Sequence, residues 1–332
     1  MRRPRPVLRW LALPVFGVLG VLAGCSAGRA APGDPGELGQ APPTTPTEVS
    51  PGGTMPVPPG RPVRYAEVIT GAVDRHLDVA YAEVAALRTG APLTVRLDWF
   101  EPRDDRESRR PVIVWIHGGG FFQGARADVR DVAEAWAKRG FVTATIDYRL
   151  DPGSKCMQLE ALAGAERTTE AKRCNDAMVA AMHDAQGAVR WVRANAAALR
   201  ADPDRVAVGG FSAGALTAVH VAQRADDPGD VGTARNERSS VSAAIAASGC
   251  SAELSTIDAG DAPVFLVASE LDRSVPFACT VATERRTASV GTPAVTRYYL
   301  GESGHALGLY RQHRDEIDRA WAAFLIERLR LA

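Results

Sequence analysis

From Val63 onward, short runs of β-branched and aliphatic residues alternate with longer amphipathic stretches, and this alternation constrains the fold more than any other feature. Pro111–Ile116 is almost unbroken in its apolar character, as a strand covered on both faces must be. Leu93–Trp99, Phe141–Ile146, Arg205–Val208, Val241–Ala247, Ala262–Ala268 and Ala294–Leu300 read as further strands, with Asp202-Pro203-Asp204 as a turn into the fourth. Asp128–Arg139, Ala177–Ala197, Ala213–Arg224 and a final stretch from about Arg311 to Leu331 read as helices. In Ala177–Ala197 the stripe Met178, Met182, Ala185, Val189 and Val192 keeps the 4-3-4-3 spacing of one buried face. Strands joined by helical crossovers predict an α/β fold with a mostly parallel sheet and helices on both faces. Chemistry in such a fold sits beyond the carboxyl ends of the strands.

The N-terminus reads as an export signal. Arg2, Arg3, Arg5 and Arg9 precede an apolar run, Trp10–Ala23, that is too short for a comfortable membrane span. It ends in Leu22-Ala23-Gly24-Cys25, which resembles the lipobox of bacterial lipoproteins. That resemblance implies removal of residues 1–24, lipidation of Cys25 and attachment to the outer face of the cell membrane. Acyl chains bury methylenes at roughly 0.8 kcal/mol each, so two or more hold a protein stably. Proline, glycine and threonine then dominate from Ala31 to Pro62, a composition that buries too little to fold and suits a spacer. The expected organisation is therefore signal 1–24, lipidated end and linker 25–62, and one domain from 63 to 332. Without the leader, 35 basic residues face 39 acidic ones, so nothing in the charge invites nucleic acid.

Four cysteines remain, Cys156, Cys174, Cys250 and Cys279, and four allow three pairings that sequence alone does not distinguish. An exported chain sits where disulfides persist. The expected pairs are Cys156–Cys174, bracketing an insertion with little apolar content, and Cys250–Cys279, joining two neighbouring sheet segments. The first closes a separation of 18 residues, worth roughly 3 kcal/mol in the chain-entropy account. No C-x-x-C pair or His/Cys cluster suggests a metal.

Three signals fall at strand ends. Gly210-Phe211-Ser212-Ala213-Gly214 follows an apolar strand and opens a helix, the setting in which a sharp turn lifts a serine hydroxyl above a sheet. Glycines are wanted two residues to either side because side chains there would collide. His117-Gly118-Gly119-Gly120-Phe121-Phe122 directly follows Pro111–Ile116, and its glycines leave backbone N–H groups free to approach a carbonyl oxygen. Gly118 and Gly119 with Ala213 are the favoured donors, Gly120 being the alternative to either glycine. Among six histidines, His76 is read as preceding the sheet, His117 belongs to the glycine loop, and His183, His220 and His313 lie in helices. Only His305 lies in a glycine-flanked loop after the last strand. Asp272 follows the strand before it and suits an acid partner, Glu270 is its rival, and Asp258 and Asp261 fall before that strand. Phe121, Phe122 and Phe211 are candidate pocket walls.

The stretch Asp202–Ala215, the HGGGFF loop and Asp147-Tyr148-Arg149-Leu150 together resemble carboxylesterase-type α/β-hydrolases, with Asp272 and His305 in that family's order. The likeness is to small bacterial esterases of feruloyl-esterase-like and acetyl-esterase-like type. It implies hydrolysis of carboxylic esters by Ser212, His305 and Asp272 without metal or organic cofactor. Many members carry a helical lid between the strands read here as Val241–Ala247 and Ala262–Ala268; this chain lacks one, and its extra material is Asp151–Asn175. An open site predicts short acyl or small aromatic acyl groups. A peptidase of prolyl-oligopeptidase type would share the order of the triad but needs a propeller domain for which there is no room. A non-catalytic binding module would be expected to lack one of these residues.

Overall fold

The computed structural model describes residues 63–331 except 226, 230 and 293; the signal, Cys25 and the linker lie outside the described residues. Eight strands form one sheet: β1 Val73–Ala85, β2 Pro92–Pro102, β3 Arg110–Ile116, β4 Val142–Ile146, β5 Ala201–Phe211, β6 Ala243–Ala247, β7 Val264–Ser269 and β8 Ala294–Tyr299. Their spatial order is β1-β2-β4-β3-β5-β6-β7-β8. β1 pairs antiparallel with β2, and β2 with β4; every later pairing is parallel. This is the mostly parallel sheet that the alternation predicts, in the α/β-hydrolase arrangement that the resemblance implies.

The helices are α1 Arg130–Ala137, α2 Gly164–Ala194, α3 Ala213–Gln223, α4 Phe277–Ser289, α5 Ala306–Gln312 and α6 Arg314–Arg328. β3, β4 and β5 are buried over their apolar lengths because helices cover both faces. On one face Val112, Val114, Ile116, Val206 and Val208 meet α2 through Met178, Met182, Ala185, Val189 and Val192, and α3 through Ala215, Ala218, Val219 and Ala222. On the other, Ile113, Trp115, Ala207 and Ile245 meet Trp136 of α1 and Tyr310, Trp321 and Leu325 of the C-terminal helices.

Several boundaries differ from the sequence reading, each for a physical reason. His76 does not precede the sheet but lies within β1, which has bulges on either side of Val79–Ala80 and so breaks the alternation that marks a strand. α2 begins 13 residues before the expected Ala177, because its first three turns are polar and mostly exposed and so carry no apolar stripe. The second half of the insertion is therefore helix. α4 buries Thr280, Thr283 and Thr287 instead of aliphatic residues, which hides it from a hydrophobic pattern. The last helix is two, broken at His313. Among the described residues no helix is long and apolar enough to cross a membrane, and no group of three His, Cys, Asp or Glu residues is placed to hold a metal ion.

Candidate active site

Ser212 sits between β5 and α3 at φ 54°, ψ −122°, a left-handed backbone that a serine adopts only when its surroundings impose it. Its N–H donates to Ala247 O at 3.0 Å. The flanking glycines are sterically required. A Cβ on Gly210 would lie 2.1 Å from Gly214 O, and one on Gly214 would lie 2.2 Å from Ile116 O. The turn is thus pressed against the end of β3, where the glycine loop starts.

That loop is held by its own polar groups. Gly119 and Gly120 take φ 108° and 62°, and Gly119 O accepts the N–H groups of Phe122 and Gln123 at 3.1 Å. Tyr148 donates to His117 O and Gly118 O at 3.1 and 3.2 Å and stacks on the His117 ring at 4.3 Å. His117 Nδ1 meets Gly118 O at 2.7 Å, and burial pushes the pKa of its imidazole down. Its work is therefore to fix the loop as a neutral donor. A Cβ on Gly118 would lie 3.2 Å from Ser212 Cβ. Among the described residues, no hydrogen bond uses the backbone N–H of Gly118, Gly119, Gly120 or Ala213.

His305 precedes α5, and Asp272 follows β7. His305 Nε2 lies 2.9 Å from Ser212 Oγ, and Nδ1 lies 2.8 Å from Asp272 Oδ2. Asp272 Oδ1 accepts the N–H groups of Ser274 at 2.8 Å and Val275 at 3.1 Å. Burial pushes the Asp272 carboxyl up, but the hydrogen bonds from His305, Ser274 and Val275 outweigh it and hold the pKa below the ordinary value. An ionised Asp272 accepts from Nδ1–H, leaving the Nε2 lone pair for the serine proton. Glu270 is elsewhere: its carboxylate accepts Gly301 N–H at 2.8 Å. Asp258 and Asp261 bond to each other ahead of β7.

Two serines that the sequence reading passed over hold the His305 peptide from both sides. Ser248, just past β6, accepts Ala306 N–H at 2.9 Å, and Ser269, ending β7, donates to Gly304 O. Their position at the carboxyl ends of strands was the available signal. Of the candidate walls, Phe211 is fully buried against Trp115 and Tyr310, and Phe121 is buried edge-on to Tyr148. Both are core; only Phe122 is partly exposed.

Cys156 is linked to Cys174, and Cys250 to Cys279. The second bond ties the end of β6 to α4, helped by Thr283 Oγ1 accepting Ser251 N–H at 2.9 Å. Both crosslinks lie at the carboxyl edge of the sheet.

Part of the chain is similar to known proteins. Residues 94–252 match the model of the carboxylesterase family. The matched stretch holds the glycine loop and Ser212 and ends before Asp272 and His305. Para-nitrobenzyl esterase of Bacillus subtilis is 34% identical over 36% of this chain and 22% of its own length. Esterase LipI of Mycobacterium tuberculosis is 29% identical over 46% and 41%. The chain thus spans less than half the length of these curated relatives. Among solved structures, an esterase of Thermogutta terrifontis superposes with a TM-score of 0.58 at 22% identity, covering 74% of this chain and 92% of the other. At that identity the likeness establishes the fold.

Proposed function

We propose that the chain is a serine esterase that hydrolyses carboxylic esters through an acyl-enzyme on Ser212. The observation that carries this reading is the hydrogen-bonded line from Ser212 through His305 to Asp272, beside backbone N–H groups that have no acceptor among the described residues. Ser212 Oγ attacks the ester carbonyl as Nε2 of His305 takes its proton. The negative charge formed on the carbonyl oxygen is met by the N–H groups of Ala213 and two of the loop glycines, with Gly118 and Gly119 favoured. Asp272 balances the imidazolium, which returns the proton to the departing alcohol. Water then attacks the acyl carbonyl as His305 takes its proton; the bond to Ser212 Oγ breaks, His305 returns the proton to Oγ, and the acyl group leaves as a carboxylic acid.

The substrate in this reading carries a short acyl or small aromatic acyl group. The connection from β6 to β7 is 16 residues with one 3-10 turn, Leu254–Thr256, so no helical lid rises there. The Thermogutta terrifontis esterase of the same fold has been solved with propionate and with butyrate, acyl groups of that size. Residues 63–332 would form the catalytic domain, tethered through the 25–62 linker to diacylglyceryl-modified Cys25 outside the cytoplasm. The two disulfides are in keeping with that compartment.

The test is hydrolysis of p-nitrophenyl esters from C2 to C16 beside a peptide panel, with Ser212→Ala as control. Ester turnover that falls by at least about 10³ in a folded Ser212→Ala protein is expected. Unimpaired turnover in that variant, or cleavage of peptides alone, overturns the reading. Mass spectrometry of the mature N-terminus checks the anchor, which an unacylated residue other than Cys25 would refute.

A further inference from the structure

The insertion between β4 and α2 reaches the glycine loop. Its 3-10 turn, Cys156–Ala161, brings Met157 beside Gly120: a Cβ placed on Gly120 would lie 3.5 Å from Met157 Cγ, with the Phe122 ring nearer still. Met157 is nevertheless 52% exposed, a large apolar side chain standing open next to the segment proposed to receive the ester carbonyl. Resting on the esterase reading, we infer that Met157 is a specificity-determining residue, forming with Phe122 the apolar wall against which a substituent of the ester lies.

The turn is fastened on several sides, as a wall must be. Cys156, next to Met157, is bonded to Cys174 within α2. Asp151, where the insertion begins, is buried and takes the Arg173 guanidinium at 2.8 to 3.1 Å. Its own N–H donates to Phe121 O at 2.9 Å, joining the insertion to the glycine loop. Lys155 N–H donates to the Glu170 carboxylate at 2.9 Å. The backbone under Met157 is thus referred both to α2 and to the loop itself. The thioether remains free to adapt to chains of different shape.

This placement sets an apolar side chain beside the glycine loop, where the β6–β7 connection raises no helical lid. It fills out the short-acyl reading, because a wall one side chain deep rewards a few methylenes and no more. Each methylene brought into full contact is worth up to about a fourfold gain in kcat/KM, and one wall gives part of that.

The experiment measures kcat/KM for p-nitrophenyl esters of C2, C4 and C8 acids, and for acetates of alcohols of matching length. The proteins are wild type, Met157→Ala, Met157→Leu and the double variant Cys156→Ser/Cys174→Ser, with active serines counted by a fluorophosphonate. Met157→Ala should lower the C4/C2 or C8/C2 ratio in one series by about threefold to tenfold. Met157→Leu, close in volume, should keep the wild-type ratio, and the cysteine variant should shift it in the direction of Met157→Ala. Removal of a half-exposed side chain leaves thermal stability nearly unchanged, so a merely structural role would not move the ratio. Ratios in Met157→Ala that match wild type in both series overturn the inference while leaving the esterase reading intact. A wild-type protein that hydrolyses no ester overturns both.

Discussion

Replacing Asp272 by asparagine changes one atom and, in this geometry, the proton on His305. Oδ1 of Asp272 accepts two backbone N–H groups, from Ser274 and Val275, while Oδ2 faces His305 Nδ1 at 2.8 Å. An asparagine must put its carbonyl oxygen where the two donors are, so its NH₂ turns toward Nδ1. Nδ1 then accepts, the ring proton moves to Nε2, and Nε2 can no longer take the proton of Ser212. Flipping the amide to restore the tautomer would set NH₂ against both N–H groups. Leaving each without an acceptor costs about 1–3 kcal/mol, or about 2–6 kcal/mol for the pair. If reaction proceeds through that minor state, kcat falls by about 30-fold to about 3 × 10⁴-fold. The assay is kcat for p-nitrophenyl butyrate at pH 7.5 in Asp272→Asn and Glu270→Gln proteins of matched folded fraction. Glu270→Gln, at a carboxylate that accepts Gly301 N–H and lies away from His305, should stay within about twofold of wild type. An Asp272→Asn enzyme within about fivefold of wild type would refute the reasoning.

Three further outcomes rest on individual contacts. Gly214→Ala, whose Cβ would lie 2.2 Å from Ile116 O, should cost about 1–3 kcal/mol or more by urea unfolding and depress ester turnover; Gly71→Ala, with open space around it, should stay within about 0.5 kcal/mol. Ser248→Ala strands the buried Ala306 N–H and should lower stability by about 1–3 kcal/mol, with a loss of kcat at unchanged KM as His305 drifts. His220, which accepts Ala252 N–H at 3.0 Å, has its pKa lowered to about 3 by burial and by Arg224. Above the unfolded pKa of about 6.5 it is neutral in both states and contributes nothing to the pH dependence. Below it the unfolded chain binds the proton and the folded chain does not, so stability drops by about 1.4 kcal/mol per pH unit, near 2 kcal/mol by pH 5. His220→Gln should flatten that decline between pH 7 and pH 5, and an unaltered slope would contradict the assignment.

The central strands were legible because burial on both faces leaves almost no polar residue in them, and α2 because of its methionine and valine stripe. What escaped lacked that signature: β1 is bulged, α4 packs through threonines, and the first turns of α2 face water. In the site, the serine turn and the glycine loop were readable because sterics demand glycine there. Ser248 and Ser269 were not, since a serine at a strand end is common and only the fold brings both to His305. Met157 was hidden for the same reason. Its proximity to Gly120 depends on how the insertion folds back, and no local spacing encodes that.

The close fit of Gly214 under Ile116 and His117 has a consequence for how such a site can diverge. The Ser212 turn and the glycine loop meet backbone to backbone, so a single added methyl group displaces both, and neither can drift alone. His305 meets Ser212 at 2.9 Å, and Asp272 meets His305 at 2.8 Å, through their side chains. The stretch that matches the carboxylesterase family ends at residue 252, after the first pair and before the second. The residues similar to that family thus include the part of the site with no room for a side chain. The part reached by side chains lies beyond it, beside a disulfide and a threonine-faced helix.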